Sequence, residues 1–382
     1  MIFKILLLAL FVNLSASMVK LQNDSSWNMA HDERYIYTLT QNYEQDNYNI
    51  EIYDKKSLNR ITFKQLSIEK SFIQKYNNRY IEISNKPISI EVSDKYIYIG
   101  TTQNILFYDK KNLNKLSSYN TVAPDIEYDK KENVYPYKTN DIRHFTKYKN
   151  YIIAYGEGDT IYIFKDNKIV RTINIKKDYP KNITQIHDYF EGSRINTVLV
   201  HNNRLYAGNW RGFVNIYDFT SGKFIKQIST IKFDKEYGYI TADEINHIAL
   251  YKERWVYMAL GYEGLLILDT KTQELKNIKT LFKKEKLYSE LFKEYYENTK
   301  STDIYRMIFY KENLIFSEVN KNQNYLYIYN LKTNEIVDTF KGHVGDITRM
   351  FIEDGILFGL SSDGYIYKWD LERLKEQWQE LK

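Results

Sequence analysis

The chain runs to 382 residues, with 54 Lys and Arg against 49 Asp and Glu for a formal charge of +5, 37 Tyr, 4 Pro and no Cys. Without cysteine there is no disulfide framework, thiolate nucleophile, thiolate-held zinc or lipid-modified N-terminal cysteine, and charges this evenly balanced lack the one-sided basic surface of a nucleic-acid-binding protein. The length exceeds what one hydrophobic core supports, yet no Pro- or Gly-rich linker divides it, so several small cores in series are expected.

At the N-terminus, Lys4 precedes an apolar run from Ile5 to Leu14 and the small residues Ser15-Ala16-Ser17. That order is the pattern of a secretory signal peptide over 1–17, cleaved after Ala16 or Ser17. The run is shorter than the roughly 20 apolar residues that span a bilayer, so no stable membrane anchor is expected. Export without disulfides favours a periplasmic location, or a secreted one.

Seven strand-rich units follow, each ending in an aromatic or aliphatic residue and an acid or its amide. The ends fall at Tyr53-Asp54, Tyr108-Asp109, Phe164 to Asp166, Tyr217-Asp218, Leu268-Asp269, Tyr329-Asn330 and Trp369-Asp370. A carboxylate suits that place because it accepts hydrogen bonds from the backbone of the turn it opens. The fourth unit, Leu205 to Asp218, is well preserved; the third departs most, with Lys165 between aromatic and acid.

The first strand of each unit has its own pattern: a polar residue, an aliphatic one, two mostly polar positions and an apolar one. It recurs from Asp141, Arg194, Glu244, Asp303 and Asp346, with Pro87 to Ile90 a poorer sixth case. Long connections separate the units at 63–86, 119–140, 176–193, 229–243 and 277–302. The last of them carries apolar residues at a helical period, Leu281, Tyr288, Leu291, Phe292 and Tyr295, which predicts a short amphipathic helix within 279–300. Leu371, Leu374, Trp378 and Leu381 predict a second helix over 371–382.

The last unit reads Gly342-His343, then Asp346-Ile347-Thr348-Arg349-Met350, then Leu357 to Asp370 with Ser361-Ser362-Asp363-Gly364 and Trp369-Asp370. Asp363-Gly364 is a hairpin turn on physical grounds, since glycine accepts a positive φ. The stretch resembles a WD40 repeat. The resemblance implies an all-β fold, a seven-bladed β-propeller of four-stranded antiparallel blades. It also implies a structural hydrogen-bonded set of His343, Ser361 or Ser362, Asp363 and Trp369. Only the seventh unit has the Gly-His pair. The segment from Val19 to Gln22 is then placed to supply the outer strand missing from the seventh blade, removing the sheet edges of an open ring.

In a propeller the long connections open on one face. The first-strand residues Asp141, Arg143, Arg194, Glu244, Asp303, Arg306, Asp346 and Arg349 are therefore expected around one mouth of the axial channel, with Tyr179, Tyr189, Phe190 and Tyr237 as aromatic anchors. This predicts a monomeric, non-enzymatic exported scaffold without a cofactor. It would bind protein partners in the cell envelope and support assembly or maintenance of an envelope or redox complex. The rival expectation is a metal-dependent or small-molecule enzyme at the same mouth, built on His144 and His247 with Asp141 and Glu244. His31, His187 and His201 have no evident partners in the sequence.

Overall fold

β-Branched and aromatic residues alternate through short runs bounded by polar turns, and these runs pair as antiparallel strands. The computed structural model describes residues 17–21, 28–42, 47–68, 71–76, 79–121, 141–175, 178, 194–230, 232–234, 239–241, 243–261, 264–278, 304–318, 326–340 and 345–372. Their strands form seven four-stranded sheets. In six of them consecutive strands lie side by side, over residues 29–65, 87–120, 142–174, 195–229, 245–278 and 304–340. The seventh joins three strands near the C-terminus, Ile347–Glu353, Ile356–Ser361 and Tyr365–Asp370, to Ser17–Lys20 from the far end of the chain. Val19 faces Ile366 in that pair, and the Leu21 N–H donates to Gly364 O at 2.8 Å. The outer strand expected at Val19 to Gln22 is thus present, shifted toward Ser17.

No sheet has a core of its own. Buried side chains gather between neighbouring sheets, and the clusters can be followed round the molecule. Ile99 and Tyr108 of the second blade pack on Leu39 and Ile52 of the first. Tyr98 and Phe107 pack on Ile152 and Phe164 of the third, and Ile163 packs on Leu205 of the fourth. Ile216 meets Val256, Ile267 meets Phe316, and Ile328 meets Trp369. Phe358 and Ile366 of the seventh blade then pack on Ile36 and Tyr53 of the first, which closes the ring. The many tyrosines supply this packing: Tyr53, Tyr98, Tyr108, Tyr206, Tyr217 and Tyr367 are fully buried. Several hydroxyls find protein acceptors. Tyr98 donates to Asp166 O on the next blade, and Tyr217 donates to Asp178 Oδ2 at 2.9 Å.

The acids closing each unit act as expected. Asp109 Oδ1 accepts from the Lys111 and Asn112 N–H groups at 2.9 Å each. Asp54, Asp269 and Asn330 cap their turns in the same way. The third unit departs because its strands, Thr160–Lys165 and Lys168–Asn174, are joined by a two-residue turn in which Asp166 takes φ 53°. The first blade's inner strand, Met29–His31, is too short to carry the recurrent pattern and was not anticipated.

Two of the long connections contain hairpins, Ser71–Tyr76 with Arg79–Ser84 and Lys232–Asp234 with Tyr239–Thr241. The helix expected within 279–300 lies outside the described residues, as does the C-terminal one beyond Leu371 and Glu372, which are helical. Among the described residues helix is otherwise almost absent, and no helix is long and apolar enough to cross a membrane.

Candidate site at the channel

Inner strands line the axis, and in six blades the register slips by one residue near the strand's start: between Pro87 and Ser89, Ile142 and His144, Ile195 and Thr197, Ile245 and His247, Ile304 and Arg306, and Ile347 and Arg349. A bulge at this point re-aims the side chains that follow it. It divides the expected site residues into two tiers. Those before the bulge stand at the mouth; those after it, His144, His247, Arg306 and Arg349, stand deeper, with Thr197, not anticipated from sequence, at the equivalent place in the fourth blade.

At the mouth, Asp141 lies just before its strand and receives Arg143 Nη2 at 3.4 Å. Arg143 Nε also stands 2.5 Å from Glu157 Oε1, which Arg194 Nε approaches at 3.6 Å. Desolvation and the nearby Arg143 lower the pKa of Arg194, and burial raises that of Glu244, which lies close enough to sense Arg194. Asp346 is exposed; its N–H donates to Ser362 Oγ at 3.0 Å and its carbonyl accepts from the Ser362 N–H at 2.8 Å. The Arg194 guanidinium covers the ring of Trp210, 5.2 Å from its centroid, and Trp210 is 47% exposed. Trp210 and Glu157 were missed from sequence. The available signal was a large aromatic in the turn of the well-preserved fourth unit, two residues before Gly212.

The deeper tier departs from the expected mouth position for two residues, Arg306 and Arg349. Arg306 is only 6% exposed, so it is not part of an open docking surface. Its Nε donates to Thr348 O at 3.2 Å and its Nη1 to Asn246 O at 2.9 Å, tying the sixth blade to both neighbours. Arg349 crosses the axis. Its Nε donates to Asn28 Oδ1 at 3.1 Å, and its Nη2 donates to Arg143 O and to His144 Nδ1 on the third blade. Desolvation, together with the Arg306 charge, lowers the Arg349 pKa to about 10.

His144 and His247 lie at equivalent positions but in cationic surroundings. Burial, then Arg349 and Arg306, pushes the His144 pKa well below its usual value, and burial with the same two arginines brings His247 to about 3. His144 already spends Nδ1 on Arg349. Among the described residues no group of three or more His, Asp and Glu is placed to hold a metal. Guanidinium groups on both sides repel a divalent cation, so the chemistry here does not suit the metal-dependent alternative.

Of the expected structural set, Ser361 Oγ donates to Asp363 Oδ1, and Trp369 packs between Tyr367 and Phe340. His343 lies outside the described residues, as do Asp303, Tyr179, Tyr189, Phe190, Tyr237 and His187. His201 stands 3.4 Å from Glu253, and His31 stacks on Phe351 at 3.7 Å.

No family model and no curated protein matches the chain. Solved structures do. A chain of the mitotic checkpoint complex is similar over 94% of each chain, with a TM-score of 0.61 and 8% identity. The computationally designed Ika8 protein is similar over 93% of this chain and all of its own, with a TM-score of 0.52 and 10% identity. The fold is that of a seven-bladed β-propeller. At such identities the likeness concerns the fold alone.

Proposed function

We propose that the chain is an exported, monomeric, non-enzymatic scaffold that docks protein partners of the cell envelope at one mouth of its channel. There it would support assembly or maintenance of an envelope or redox complex. The observation carrying this reading is Trp210, half exposed beneath the Arg194 guanidinium and beside the Arg143–Glu157 pair. Tryptophan and arginine dominate interface hot spots, because each supplies a large contact area at low entropic cost. Asp141 beside Arg143 and Glu244 near Arg194 add opposite charge, the polar rim such a surface needs. Export is supported by the leader pattern over 1–17, whose removal leaves most of the strand Ser17–Lys20 to close the ring.

Co-purification after crosslinking in cells tests the docking surface. Trp210→Ala and Arg194→Glu should each lose the partner while leaving the melting temperature of the isolated protein nearly unchanged. Retention of every partner by both variants contradicts the reading. Mass analysis of the mature N-terminus tests export separately and should find it after Ala16 or Ser17.

A further inference from the structure

Below the mouth, the channel holds two guanidinium groups whose bonds all run to neutral acceptors. Arg306 uses Thr348 O and Asn246 O; Arg349 uses Asn28 Oδ1, Arg143 O and His144 Nδ1. Among the described residues no carboxylate stands within ion-pair distance of either, whereas the mouth and rim cations Arg143, Arg194, Lys55 and Lys110 all have one. Nη2 of Arg306 and Nη1 of Arg349 take no part in the bonds described, and a guanidinium carries five donors. Both side chains line a cavity of about 460 Å³ with Thr197, His247 and Glu91. That volume is within the range of small-ligand pockets.

The remaining lining is mixed: Asp32, Glu33 and Glu353 bring carboxylates, of which Asp32 is paired with Lys110 at 2.7 Å and Glu353 with Lys55, while His247 and Thr197 offer polar groups beside the two arginines. His247 Nδ1 is buried without a hydrogen-bond partner. Thr197 Oγ1 accepts the Ile248 N–H at 3.0 Å, which leaves its own proton to give. Glu91 does not serve as the counter-charge on the acid side of neutrality: burial raises its pKa to about 7 despite Lys147 and Arg349 nearby. Two cations withdrawn from water without a counter-ion are costly, and an anion between them removes that cost.

We propose that this cavity is a binding site for a small oxyanion, a carboxylate or a phosphate, gripped by Arg306 and Arg349. The site is independent of the scaffold reading, since it lies below the docking mouth and needs neither Trp210 nor a partner.

Calorimetric titration of the full chain with inorganic phosphate, succinate and citrate tests it, at constant ionic strength, slightly acid pH and with chloride as reference. At least one of the three should bind saturably at one site. Phosphate alone would point to a phosphorylated ligand, and succinate or citrate alone to a carboxylate; either supports the proposal. Arg306→Gln and Arg349→Gln should each weaken binding about tenfold or more, the loss of a charge-assisted bidentate contact. Arg34→Gln, on an exposed turn, should leave it unchanged. Where a glutamine variant fails to fold, Arg306→Lys keeps the charge and loses the fork, and it should bind several-fold more weakly. The proposal is overturned if none of the anions binds better than chloride, or if the folded variants bind as the parent does.

Discussion

At the scale of single residues, the turns that close each blade show how a carboxylate and a backbone angle share one task. The fourth residue after the capping acid or amide adopts a left-handed conformation in five blades: Leu58 at φ 57°, Leu113 at 59°, Gly222 at 71°, Gln273 at 65° and Asn334 at 57°. Only one is glycine, the residue that takes this conformation without strain. Gln273 is exposed, and its side chain makes two surface hydrogen bonds, accepting from Lys226 Nζ at 2.8 Å and donating to Thr270 O at 2.6 Å, so replacing it removes strain at the loss of those contacts and little packing. Gln273→Gly should raise stability by roughly 0.5–1 kcal/mol, seen as a higher denaturant midpoint; an unchanged or lower midpoint contradicts this reading of the turn. The channel residues make a second prediction, in pH. His247, held at about 3 in the folded chain, starts from 6.5, so its contribution is complete above 6.5 and lost as pH falls toward 3. His144 acts in the same direction. Glu91 works oppositely: its folded pKa of about 7 lies above its usual 4.5, so stability is complete below 4.5 and lost as pH rises toward 7. Melting temperatures across this range should show His247→Gln flattening the acid limb and Glu91→Gln flattening the decline toward neutrality. Curves parallel to the parent's would exclude both assignments.

At the scale of the strand and blade, much was legible because local chemistry repeats. The capping acids, the alternating strands and the polar starts of the inner strands were all visible as a pattern at a fixed offset. What escaped was geometry that no local pattern encodes. The bulge that separates Arg143 from His144, or Tyr305 from Arg306, is a register choice between two strands, and it alone sends Arg306 inward, where sequence placed it at the mouth. The bond from Arg349 to His144 spans 205 residues and depends on ring diameter. Trp210 was overlooked because its turn resembles any other until Arg194 lies over it. Close approach between blades is the complementary case. A Cβ on Gly208 would stand 2.6 Å from Ile245 Cγ2 of the next blade and 2.8 Å from Thr197 Cγ2. Gly208→Ala should therefore cost about 1–3 kcal/mol, and less in an Ile245→Ala background, because the two sites share one contact. Strictly additive losses in a chemical denaturation cycle would show that blade contact does not set this glycine.

At the scale of the whole molecule, stability and site have one origin. Each blade is half of two cores, so the ring needs its last core, where Phe358 and Ile366 meet Ile36 and Tyr53, to leave no blade with an uncovered face. The strand Ser17–Lys20 completes the seventh blade and bonds the two ends of the chain together. Closure also brings Asp141, Arg143, Glu157 and Arg194 together from separate strands, and sets Arg306 and Arg349 on one cavity. Both proposed sites would vanish in an open arrangement. The chain has no cysteine, so a pair can be introduced against a silent background. Lys20 and Tyr365 are opposite one another in the closing register. The Lys20→Cys, Tyr365→Cys double variant, under mild oxidation, should form an intramolecular disulfide in nearly every molecule, with faster migration on non-reducing gels and a raised melting temperature. Persistent free thiols, or disulfides that link separate chains, would contradict closure of the ring by its own N-terminal strand.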